Sequence, residues 1–480
     1  MRNRLHVFAL LPVLLFATPA LAVTWNVPGD FPTIQQAINA SSSGDVIIVA
    51  PGVYPENITV GAAQNGIKIH SSGGAGVTTI DGGAAGTVAS FSSVGITTEL
   101  IGFTLTNGLG VNGGGLSLVN ANPKIDSNFI TANTAKLGGG IYANHSQSTI
   151  NANQITFNAA SQGAGNGGGV YLDNASLATI TNNVISSNST VGSGGGLFIL
   201  AASNANINNN SVTNNTASVN GGGFSITGGT TSPTIKNNVI SSNHADTGNG
   251  GGLNVVSNAF PTISSNQINF NTALNSGGIH LAGSSPTITL NNIQDNAAPT
   301  GSGGGLSCNA SSSPVVSGNL LIRNFAGTNG GGLFANGSNV TLTSNTIALN
   351  SGAIDGGGVY AVGGSRVTLR RDIVSHSPVG NGVSVSVGDG SVVNLNCCDV
   401  WGNGAANYNG MPDATGVNNN ISADPFYCDI FGLDFHLFAV SPCTAANAPS
   451  CGLIGALDVG CSGPVRTEVK SWGSIKATYR

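Results

Sequence analysis

Few side chains in this sequence could carry out chemistry, and they stand apart. Through the middle of the chain the acids come about one per repeat: Asp126, Asp173, Asp246, Asp295, Asp355 and Asp372. Cleaving a glycosidic bond needs two carboxyl groups within about 10 Å of each other. Holding calcium needs several oxygen ligands converging. The spacing shows neither, and no metal site or cofactor is expected. Asp295 and Arg323 hold the same place in consecutive segments, so they are expected to lie one repeat apart and form an ion pair. Asp173, or Asp295 with Arg323, are the catalytic candidates, an acid with or without a charge-stabilising arginine. A second chemistry, the non-covalent holding of sugar, is offered by Tyr142, Tyr171 and Phe198. These fall at one place in three consecutive repeats, with Asn144 and Asp173 two residues further on. Aromatic faces beside hydroxyl-bonding groups suit a sugar ring. The plainer reading is an aromatic ladder that stiffens a sheet or lies under a loop. The densest run of charge is Arg366, Arg370, Arg371, Asp372 and His376, with His376 in place of a corner asparagine.

The elements that position these residues follow from a repeat. A Gly-Gly pair precedes an apolar residue ten times, ending at Gly115, Gly140, Gly169, Gly196, Gly223, Gly252, Gly278, Gly305, Gly332 and Gly358. A period of this length means stacked supersecondary units. Each unit reads as three short strands. The first follows the glycines, as in Val170-Tyr171-Leu172, and its first and third residues, aliphatic or small, should face inward. The second is Pro-Thr-Ile or a variant, as at Pro233-Thr234-Ile235. The third is Asn-x-Ile-x-x-Asn, as at Asn238 to Asn243, whose asparagines suit corners with left-handed backbone and can bond one another in ladders. Cys308 sits at an inward place and reads as a small buried hydrophobe. Three strands and three corners per unit describe one coil of a parallel β-helix. Residues 24–60 read as a start cap, with a short helix through Ala40 that puts Ile34, Ala37 and Ile38 on one face.

The opening Val27-Pro28-Gly29-Asp30-Phe31-Pro32-Thr33-Ile34-Gln35-Gln36-Ala37-Ile38, followed by Gly44-Asp45 and Ala50-Pro51-Gly52-Val53-Tyr54, resembles that of many secreted bacterial β-helix proteins and of pectin methylesterases. The repeats are similar to those of polymorphic outer-membrane proteins. The chain thus looks like a secreted right-handed parallel β-helix protein of the pectin-lyase-like superfamily, over roughly residues 24–460. The resemblance implies an all-β fold with ten or more coils. It leaves function open, since the fold hosts lyases, hydrolases, esterases, adhesins and inert spacers. Methylesterases would bring paired aspartates with glutamines and an arginine in the central coils, and this sequence lacks those motifs.

Composition bounds the rest. Only 7% of residues are charged and the net charge is −5. No basic surface for nucleic acid is present. Arg2 and Arg4, an apolar stretch and Ala20-Leu21-Ala22 read as a secretory leader over 1–22, leaving no transmembrane segment after its removal. Cys397, Cys398, Cys428, Cys443, Cys451 and Cys461 read as a disulfide framework whose pairing stays open. The expected organisation is the leader, a β-helix over 23–395, a cysteine-rich end cap over 396–462 and a basic tail over 463–480. The expected protein is a monomer, secreted or held at the cell envelope. It is non-enzymatic, and binds polysaccharide or cell-surface glycan or acts as an adhesin. The alternative is a polysaccharide lyase or glycoside hydrolase.

Overall fold

The structure is a computed structural model, and it describes residues 21–461. The basic tail and, but for Leu21 and Ala22, the expected leader lie outside the described residues.

The coils stack as a parallel β-solenoid of about 15 turns. Each full coil has four ladders, not three. Sheet 1 has 15 strands and holds the Pro-Thr-Ile segments, as at Thr149–Asn151. Sheet 2 has 14 strands and holds the Asn-x-Ile segments, as at Gln154–Thr156. Sheet 3 has 10 strands, many only two residues long, as at Ala159–Ala160. Sheet 4 has 14 strands and follows the glycines, as at Val170–Asp173. Sheet 3 escapes the sequence pattern because a two-residue strand has no alternation to read. Register is strict. Ile150 pairs with Ile180, then Ile207, Ile235 and Ile263. With rungs about 4.8 Å apart, this stack gives a rod on the order of 70 Å.

One hydrophobic core runs the length of the rod. The expected inward positions of sheet 4 are buried, Cys308 among them, and one coil carries the aromatic Phe224 where aliphatics were expected. The glycines before sheet 4 are required by packing. A Cβ on Gly169 would lie 2.7 Å from Gly196 O of the next coil and 3.0 Å from Ile185 Cγ2.

Two asparagine ladders fix the corners on either side of sheet 2. Asn243 shows the pattern: its backbone N–H and its Nδ2 both donate to Asn271 Oδ1, at 3.0 Å each, and Nδ2 also donates to Val212 O at 2.9 Å. Each buried amide therefore finds partners along the rod. The left-handed residue is not the asparagine but the one before it, as at Ser187 and Ser242. The turn is made one place early so that the amide can point along the stack.

At the head of the rod, helix α1 spans Ile34–Ala40 and buries Ile34, Ala37 and Ile38. Its first N–H groups, on Ile34 and Gln35, donate to the Glu56 carboxylate at 2.9 Å each. An anion there satisfies donors that no helical carbonyl can reach.

The C-terminal segment does more than close the end. Tyr427, Phe435, Leu437, Cys443 and Ile454 fold back over the outer face of sheet 2 and pack on Ile322, Ala348 and Ile373. Cys397 pairs with Cys451 and Cys428 with Cys461, while Cys398 and Cys443 stay as buried free thiols.

Candidate functional site

The outer column of sheet 4 gathers most of the residues that could hold a ligand. Tyr142 pairs with Tyr171 and Tyr171 with Phe198. Because rungs are in register, the rings stack: centroids lie 5.6 Å apart at 22°, then 5.2 Å apart at 13°. Only 6%, 6% and 9% of their surface is exposed, and Val119, Leu137 and Leu200 pack against them. The plainer of the two sequence readings, a ladder under cover, matches this packing. Ring faces are covered by neighbouring rings, so this set is a buried ladder. Burial raises the Tyr171 phenol well above its usual range, with the nearby Asp173 charge adding to it. Asn144 and Asp173 do share one row, as expected, and both are half-buried. Asn144 Nδ2 donates to Tyr142 Oη at 3.0 Å, and Asp173 Oδ1 accepts from Asn174 N–H at 2.7 Å.

Further along, the column turns small and polar: Ser225, Asn254, His280 and Ser307 follow on consecutive rungs. Aromatics resume at Phe334 and Tyr360, which stack 6.1 Å apart at 2°. Where the column loses its rings, a cleft of about 340 Å³ opens, lined by Asn249, Asn275, His280, Ser302, Ser307, Asn309 and Phe334. His280 is 7% exposed, and its Nδ1 lies 3.1 Å from Ser276 Oγ. Burial lowers the His280 pKa to about 4, which keeps the imidazole neutral near pH 7. The sequence carried the signal for this cleft, four residues in a row at one repeat position with no Phe, Tyr or Trp among them.

The catalytic candidates do not converge with one another. Asp295 and Arg323 sit at the corner between sheets 2 and 3, at positive φ of 54° and 52°. Their expected ion pair forms with two contacts, Nε to Oδ1 at 2.9 Å and Nη2 to Oδ2 at 2.6 Å. Gln294 Nε2 adds a bond to Oδ2 at 2.8 Å. Both carboxylate oxygens are thus engaged. Asp173 ends a strand of sheet 4, at a different corner.

The charge-dense stretch also resolves differently. Arg366, Arg370 and Arg371 are exposed, but Asp372 is fully buried. It ends the first asparagine ladder, its Oδ1 accepting from Asn345 N–H at 2.7 Å and from Asn345 Nδ2 at 2.8 Å. Burial, the largest influence, pushes its carboxyl up to about 7. His376 does not replace a corner asparagine. Ser377 takes that place, and His376 holds the left-handed position before it, against Trp401 and Tyr427. The register slips by one because Asp372, not Arg371, stands in for the preceding ladder asparagine.

A second buried acid, Asp399, lies under the folded-back segment and accepts from Ala423 N–H at 3.1 Å and Cys443 Sγ at 3.3 Å. Burial raises it to about 7 as well. Among the described residues, no three His, Cys, Asp or Glu side chains group so as to hold a metal ion. No helix among them is long and apolar enough to cross a membrane.

Comparison with known proteins bears on the fold. The profile of the family described as right handed beta helix region matches residues 56–240, 168–347 and 231–421. No curated protein matches the sequence. The solved structures similar to this chain include two polysaccharide-enzyme units. One is the catalytic unit of the thermostable GH87 alpha-1,3-glucanase from Streptomyces thermodiastaticus. It is 13% identical, with TM-score 0.40, over 83% of this chain and 71% of that one. The other is the A-module of the Azotobacter vinelandii mannuronan C-5 epimerase AlgE6. It is 15% identical, with TM-score 0.33, over 82% of this chain and 93% of that one.

Proposed function

This chain belongs to the right-handed β-helix family, and from that premise we propose that it is an exported, non-enzymatic rod that binds polysaccharide along the outer face of sheet 4. One observation carries the reading. Between two aromatic stacks that face carries a run of nearly buried hydroxyl, amide and imidazole groups at one fixed rung spacing, and the cleft at His280 opens onto it. Repeating hydroxyl-bonding groups beside an aromatic suit a repeating polyol chain. The alternative, a lyase or hydrolase, would need acid and base converging in one groove. Asp295 is committed to Arg323, and Asp173 stands at another corner, which favours binding over turnover. Export is supported by the two disulfides, which persist in oxidising compartments. In this reading 1–22 is the leader, 23–395 the binding rod, 396–462 its terminal clamp and 463–480 a basic tail, and the protein acts as a monomer.

The test is a glycan array run beside a turnover screen on the purified mature chain. Saturable binding without new reducing ends or unsaturated products is expected. Release of products from any glycan on the array would overturn the non-enzymatic reading, and silence in both assays would overturn binding.

A further inference from the structure

The cleft at His280 is built by departures from the repeat, and they coincide in space. Phe334 stacks on Tyr360 with one face, while the rung on its other side carries only Ser307. Its second face is left without an aromatic neighbour, and the ring is partly exposed. His280 is the one histidine of the column, and Ser276 holds its Nδ1.

Ser276 is itself an exception. It has φ of 59°, and the same place in neighbouring coils holds Gly250, Gly303 and Gly330, with φ of 70°, 76° and 70°. A Cβ added to Gly250 would collide with Leu253 O. Left-handed backbone disfavours most residues with a Cβ, although corner residues along this rod adopt it repeatedly. In this coil a serine takes the glycine's place, and its hydroxyl fixes the imidazole.

We propose that this cleft holds one ring of a neutral saccharide, packed on the free face of Phe334, with its hydroxyls bonded by His280, Ser307 and Asn309. The proposal rests on the glycan-binding reading above and names its site and ligand class. No Lys, Arg, Asp or Glu lines the cleft. A uronate carboxylate would enter without a cation to meet it, at a desolvation cost. A neutral imidazole, by contrast, offers one donor and one acceptor, as a sugar hydroxyl does. Phe334 supplies the apolar platform that a ring's C–H face requires.

The test is calorimetric titration of the full chain with oligosaccharides of glucose, mannose, galactose and N-acetylglucosamine, and with oligogalacturonate as the acidic comparator. Phe334→Ala and His280→Ala are each expected to weaken the neutral binder by about tenfold or more. Thr262→Ala, on sheet 1, should leave it unchanged. Binding of a neutral oligosaccharide that both cleft variants retain in full would overturn the site while leaving glycan binding in place. Binding of oligogalacturonate alone would overturn the ligand class. Wild-type chain that binds none of these would overturn both readings. Should a variant fail to fold, the imidazole resonances of His280 in labelled wild-type protein decide the matter. They must shift on saturation with the bound sugar, and an unmoved signal rejects the site.

Discussion

At the residue scale, two kinds of buried polar group behave differently. The ladder asparagines are neutral, and each is bonded along the stack, so burial costs them little. Asn243→Ala removes the acceptor that Asn215 uses twice and strands two buried donors there. At about 1–3 kcal/mol for each unpartnered group, a loss on the order of 3 kcal/mol is expected in urea unfolding. Asp372 is the ladder member that can ionise, and there burial matters. Its folded pKa is raised to about 7 from 3.8. The folded state therefore keeps the proton through a range in which the unfolded state has released it. Stability falls as pH rises from about 4 to 7 and levels off above that. His280 acts in the opposite sense, because its folded pKa is lowered to about 4 from 6.5. Its contribution rises with pH over much of the same window, while Asp399, also raised to about 7, acts in the same sense as Asp372, so the wild-type curve mixes all three. The difference between Asp372→Asn and wild type isolates the carboxyl. It should move in the variant's favour between pH 4 and 7, by on the order of 4 kcal/mol at most. A difference that stays flat across that window would mean Asp372 ionises normally.

At the element scale, the ladder Tyr142–Tyr171–Phe198 and the C-terminal clamp are the two units with packing of their own. Tyr171 has a ring on each side, so Tyr171→Ala opens a gap between two stacked faces and should cost about 3–5 kcal/mol. Tyr171→Phe keeps the stack, and no hydrogen bond of the phenol is at stake among the described contacts, so its melting temperature should match wild type. A Tyr171→Ala protein as stable as wild type would mean the rings do not support the sheet. The clamp is held by Cys397–Cys451, which closes a separation of 54 residues, and by Cys428–Cys461, which closes 33. The chain-entropy account assigns each roughly 4 kcal/mol. Reduction should therefore raise hydrogen exchange over 427–461 and over the sheet 2 strands beneath, while coils near Ile150 and Ile180 stay protected. The sequence made part of this readable. The register columns, the inward aliphatics, both asparagine ladders, the Asp295–Arg323 pair and the short helix all follow from period and residue type. The clamp could have been seen too. The outward place of sheet 2 that carries Thr131, Thr156 and Ser186 in early coils carries Ile322 and Ala348 in late ones, and the other outward place goes from Gln154 to Leu320 and Ile373. A sheet face that turns apolar needs a cover. Burial of the aromatic column was one of two open readings, because outward pointing alone does not say what packs beside a side chain.

At the scale of the whole molecule, a stack of near-identical coils lets each unit lean only on its neighbours. Its surface charge is sparse, with 14 Lys and Arg against 19 Asp and Glu in 480 residues. That sparseness separates two ways such a rod could engage a polymer. Contact through Arg366, Arg370 and Arg371 would be electrostatic, between exposed charges, and would fade as ionic strength rises from about 0.05 to 0.5 M because screening shortens their reach. Contact through the sheet 4 column would use hydroxyl, amide, imidazole and aromatic groups, none of which changes with salt. Titrations of the full chain with whichever polysaccharide it binds should give one affinity within about twofold across that range. An affinity that falls steadily with added salt, and falls further in an Arg366→Ala, Arg370→Ala double variant, would move the binding surface from sheet 4 to the arginines near the rod's end. The cleft at His280 would then be a polar seam of the scaffold, and the polymer an acidic one.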